Sequence, residues 1–81
     1  MSDLVTIQIS SKIYWGFNIK IKRKLLKKMT CEEIINYTKI QMKDFFNIHN
    51  LLELKEGVDV LNLHIHEDLN DLNVIYLCDH N

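Results

Sequence analysis

The chain has no proline and only two glycines, Gly16 and Gly57, in 81 residues. Without proline, repeats or low-complexity stretches to set off a linker, a single domain is expected over residues 1–81. With so little glycine there is no phosphate-cradling loop and no dinucleotide fingerprint, and the G-x-S-x-G and H-E-x-x-H patterns are missing too. Little remains from which to assemble a familiar active site, so the expectation is a protein without catalysis and without a cofactor. The two cysteines, Cys31 and Cys78, are too few for the disulfide framework of a small exported domain. Both are read as free thiols. Cys31 is expected in the core. No apolar run approaches the ~20 residues of a membrane span, and the opening MSDLVTIQIS lacks the basic-then-apolar layout of a secretory signal. A cytoplasmic location without membrane insertion is expected.

What the chain does have is ordinary globular composition, 47% hydrophobic and 26% charged, which argues against disorder. Residues 30–46, TCEEIINYTKIQMKDFF, carry a helical period. Thr30 and Glu33 form the T-x-x-E of a capping box. Cys31, Ile34, Ile35, Thr38, Met42 and Phe45 make an apolar stripe, with Glu32, Asn36, Lys39 and Lys43 on the opposite side. Before the helix, residues 4–9 place Val5, Ile7 and Ile9 on one side and Thr6 and Gln8 on the other. Residues 17–21 alternate likewise, with Phe17, Ile19 and Ile21 inward, so two strands are expected to pair through a connection at 10–16.

After the helix, residues 47–50 suit a loop in which Asn can adopt left-handed backbone. Residues 51–54, LLEL, are read as a third strand, closed by a turn at Gly57 where positive φ is expected. Asp59 can cap a short turn running through Val60, Leu63 and Ile65, yet LNLHIH also alternates as a strand, and the pattern leaves both open. Residues 72–78, LNVIYLC, are apolar on both faces and read as a central final strand. The fold class expected is α+β, a mixed sheet covered by one helix.

This order resembles the β-grasp roll of ubiquitin-like proteins, which implies that the helix crosses the sheet and the last strand lies beside the first. LLEL followed by KEG, and Val60, Leu63 and Ile65 as V-x-x-L-x-I, are similar to that fold. VTIQI at 5–9 and FNIKI at 17–21 resemble the opening hairpin of the YukD/EsaB family, small cytoplasmic accessories of type VII secretion. EDLND at 67–71 departs from the family, whose closing loop carries a Gly-Asp turn. A ubiquitin-type modifier must end in Gly-Gly, whereas this sequence closes on Cys78, Asp79, His80 and Asn81, so conjugation is not expected. The resemblance implies a protein–protein interaction module whose partner is the cytoplasmic part of a membrane secretion component.

Charge is lopsided: residues 1–43 hold nine of the ten Lys and Arg, and residues 44–81 hold eight of the eleven acids. Lys20, Lys22, Arg23, Lys24, Lys27 and Lys28 crowd one stretch. They either blunt an edge strand or meet an anionic partner, such as nucleic acid or, as in Ras-association domains, a small GTPase. RNA-binding sheets add exposed stacking aromatics, and the second strand offers only inward Phe17. Tyr14 and Trp15 either fold back to close the hairpin or stand out as an anchor for a partner. His64, His66, Cys78 and His80 lack the tight spacing of a zinc site, and no metal is expected. The candidate partner-binding residues are therefore Tyr14, Trp15, Lys20, Lys22, Arg23 and Lys24.

Overall fold

A computed structural model of the chain describes residues 3–66 and 73–79. The elements in order are β1 (Leu4–Ser10), β2 (Asn18–Lys22), α1 (Arg23–Leu26), α2 (Cys31–Ile48), α3 (Leu52–Val58), β3 (Leu63–Ile65) and β4 (Val74–Asp79). The strands form one sheet in the order β2-β1-β4-β3. β1 runs parallel to β4, and the other two pairs are antiparallel, so the sheet is mixed.

The period-two pattern of β1 does what it predicts: Val5, Ile7 and Ile9 are buried while Thr6 and Gln8 remain half-covered. Register aligns Ile7 with Ile75 and Ile9 with Leu77, so these four side chains share one face. Val74, Tyr76 and Cys78 take the other face, beside Thr6, Gln8 and Ser10. β4 lies between β1 and β3, the interior place expected of a strand apolar on both sides. Leu72, expected at its start, falls outside the described residues.

α2 begins as the T-x-x-E signature requires. Thr30 Oγ1 accepts from the Glu33 amide at 3.2 Å, and Glu33 Oε1 accepts from the Thr30 amide at 3.0 Å. Its buried residues are Ile34, Thr38, Met42 and Phe46. A stripe stepping every fourth residue drifts around the helix, since each step of four overshoots a turn of 3.6. The drift makes Phe46 the inward aromatic in place of the expected Phe45, which is 44% exposed against 5% for Phe46. Cys31 is exposed, not packed, because burial along α2 begins only at Ile34. Lys39 and Lys43 do not face solvent freely either. Lys39 Nζ donates to the Leu61 carbonyl and Lys43 Nζ pairs with Asp59, both at 2.6 Å.

Two expectations fail after α2. The strand expected at 51–54 is helix, α3, so among the described residues the sheet is accompanied by three helices and not by one. Leu, Glu and Lys are strong helix formers, and Leu54 and Val58, four residues apart, turn one side of the helix into the interior. A short apolar run reads the same as either element until such partners are known. Gly57 consequently sits within α3 and makes no positive-φ turn. A Cβ there would collide with the Tyr14 hydroxyl, so the glycine serves close packing. Asp59 is the C-cap of α3 and lies with Val60 in the turn that follows it, and of the segment left open beyond, Leu63–Ile65 resolves as strand β3. Asn50 does adopt left-handed backbone, φ 57°, as expected of the loop.

Candidate docking surface

The connection between β1 and β2 ends in a tight turn. The Phe17 amide donates to the Tyr14 carbonyl at 3.1 Å, and Gly16 supplies the positive φ, 83°, at the third position. Trp15 is therefore the corner of the turn. The two aromatics, which share one expectation in the sequence, take opposite places. Tyr14 is 4% exposed, its ring centroid lies 5.5 Å from that of Phe46, and its hydroxyl donates to the Leu54 carbonyl at 2.6 Å. Burial pushes its phenol pKa above the ordinary value. Tyr14 is thus withdrawn from the partner-binding set, because folding onto α2 and α3 leaves it no surface to offer. Trp15 is 85% exposed, with Ile13 70% exposed beside it. A buried tyrosine holds the base of the turn while an indole stands clear of it.

From Gly16 the surface continues into an open cleft of about 530 Å³ between β2 and α2. Phe17, Asn18 and Ile19 line one wall, and Gln41, Asp44, Phe45 and Ile48 line the other. Phe17 is turned inward as expected, with its ring against Phe45 and Phe46 at 5.3 and 5.5 Å between centroids. Ile48 is 75% exposed. Ile13, Phe45 and Ile48 are the surface residues that the sequence reading missed. A helix carried two residues further would have placed Ile48 one turn past Phe45 and two turns past Gln41, on the flank facing β2.

The basic candidates divide in the same way. Arg23 is half-buried, with its amide donating to the Asp3 carbonyl and its Nη2 to Asn73 Oδ1 at 3.0 Å, so it ties α1 to the strand ends. Lys20 lies on the outer face of β2 and donates to Thr6 Oγ1. Lys22 and Lys24 are exposed, and with Asp3, Leu4, Arg23 and Lys27 they line a second cleft of about 480 Å³. The structure therefore gathers Lys22, Arg23 and Lys24 at one end of β2 and Trp15 at the other.

His64 stands opposite Cys78 in register, but no group of three or more His, Cys, Asp or Glu among the described residues could hold a metal ion. His80 and the EDLND segment at 67–71 lie outside them. Asp59, hydrogen-bonded by Lys43, is held below the ordinary carboxylate range. No helix among the described residues is long and apolar enough to cross a membrane. In comparisons with protein-family models, curated proteins and solved structures, nothing matches this chain.

Proposed function

We propose that this chain is a ubiquitin-like interaction module of β-grasp type that works by docking onto a larger protein. The observation that carries the reading is Trp15, fully presented at the corner of a turn whose neighbour Tyr14 is fixed in the core. A large, rigid side chain held out in this way loses little conformational entropy on binding, and tryptophan is prominent among interface hot spots. Strand order β2-β1-β4-β3, with β1 and β4 parallel and a long helix after the first hairpin, supports the β-grasp reading. On the resemblance of the opening strands to YukD/EsaB, the partner would be the cytoplasmic part of a type VII secretion component, and this chain would act in its assembly or regulation and not in catalysis.

A second reading rests on the cleft lined by Lys22, Arg23, Lys24 and Lys27, which would attract a polyanion or the acidic edge of a small GTPase. The two are separated by capturing partners from lysate of the source organism with N-terminally tagged protein, with nuclease treatment and a Trp15→Ala control. A defined protein that survives nuclease and is depleted in the control supports docking through the turn. Nucleic acid recovered alone, released at moderate salt and indifferent to Trp15, overturns it, because phosphate contacts exchange for counterions.

A further inference from the structure

β2 is an edge of the sheet formed by the described residues. The Ile9 amide donates to the Phe17 carbonyl, and the Arg23 amide to the Asp3 carbonyl. The intervening pairs Ile7 with Ile19 and Val5 with Ile21 fall in the same phase of the antiparallel ladder. Alternation then turns the backbone groups of Asn18, Lys20 and Lys22 away from β1. The Lys22 carbonyl serves the first turn of α1, as an N-cap carbonyl does. What remains at the open edge is the amide and carbonyl of Asn18 and of Lys20, and the amide of Lys22, a row ready to pair with another strand.

The two sides of that row differ in chemistry. Toward α2 lies the cleft walled by Phe17, Ile19, Phe45 and Ile48. On the outer side Asn18, Lys20 and Lys22 project, each exposed. A strand laid along this edge would send alternate side chains to the two sides. One set would cover apolar surface in the cleft, and the other would stand beside two ammonium groups. A second copy of this chain fits badly: antiparallel self-pairing centred on Lys20 sets that lysine against its own copy, and like charges directly opposite are destabilising. Carboxylates in those positions reverse the sign.

We infer that the β2 edge binds an extended segment of a partner protein in which valine or isoleucine alternates with aspartate or glutamate. The alternation is set by the geometry, since consecutive apolar residues would put one of each pair beside Lys20 or Lys22. This surface stands beside the Trp15 reading and does not rest on it.

The test titrates isotope-labelled full chain with the blocked peptide Asp-Val-Glu-Ile-Glu-Val-Asp and follows amide shifts and amide exchange by NMR. Two controls are a peptide of the same composition with its apolar residues consecutive, and one with lysine in place of every acid. The expected result is saturable shifts at Asn18, Lys20, Lys22, Gln41 and Ile48, with amide exchange of Asn18, Lys20 and Lys22 slowed. Ile48→Asp and Lys22→Glu should each weaken binding about tenfold, and Trp15→Ala should leave it within about twofold. Equal binding of either control peptide, or shifts confined to the turn at Trp15, would overturn the inference. So would shifts at β2 that appear on concentrating the protein without peptide, which would assign the edge to a second copy. Loss of peptide binding in Trp15→Ala with retention in Ile48→Asp would move the site to the turn.

Discussion

The two flanks of α2 are built from similar residues and end in opposite states. On the flank toward α3, Phe46 is buried against Tyr14, Lys39 donates to the Leu61 carbonyl, and Lys43 pairs with Asp59. On the flank toward β2, Phe45 and Ile48 remain exposed over an open cleft. The first flank is closed by the chain itself, because α3 follows after a short loop and Tyr14 reaches in from the β1–β2 connection. No described element returns to cover the second. Tyr14 and Trp15, adjacent in sequence, divide between folding and surface along the same line. Apolar residues therefore have two uses here, and only the partner found across the fold separates them.

Substitutions on the closed flank should carry the largest costs. Tyr14→Ala removes a buried ring and its hydrogen bond and should lower stability by about 3–5 kcal/mol in urea denaturation, the range for large aromatic truncations. Gly57→Ala should destabilise by about 1–3 kcal/mol through overpacking, although alanine is the better helix former. Because the collision is with the Tyr14 hydroxyl, the same change in a Tyr14→Phe background should cost less. Equal costs in the two backgrounds would remove the packing explanation for that glycine. Thr30→Ala breaks one arm of the capping box and should cost about 1 kcal/mol.

The pH dependence belongs to the closed flank, where Tyr14 and Asp59 both lie. The raised phenol pKa of Tyr14 means that the folded state holds its proton more tightly than the unfolded chain. Its contribution is complete below the ordinary tyrosine value of about 10 and is lost as pH rises through the folded pKa. Equilibrium unfolding should therefore show stability falling at alkaline pH, and Tyr14→Phe should remove that component. Asp59 has the opposite sign, contributing above its ordinary value of 3.8 and losing the contribution as pH falls through its lowered one. The pair is exposed, so Asp59→Asn should give the smallest acid-side change. On the open flank, Ile48→Asp should stay within about 0.5 kcal/mol of the parent protein, as surface substitutions do.

The strands and the long helix were legible because their signals are local. Val5, Ile7 and Ile9 alternate, and Thr30 and Glu33 lie within hydrogen-bonding reach along the chain. Residues 51–58 were misread because LLEL fits a strand as well as a helix, and the decision came from partners distant in sequence, Tyr14 above all. The same limit applied to the surface. Trp15 stood out by residue type alone, but whether it or Tyr14 faced outward depended on the place left by Gly57. Ile48 gave no sign while the helix was ended at Phe46. Lys20 and Lys22 were visible as charge, with an edge strand as one of two readings left open, and strand order is what puts them at the edge.

The most direct test of the division between folding and docking is the stability and partner capture of Trp15→Ala, measured side by side. The account predicts urea unfolding within about 0.5 kcal/mol of the parent protein and loss of the captured protein partner. A destabilisation approaching that of Tyr14→Ala, with the partner retained, would show that Trp15 closes the hairpin and would contradict it.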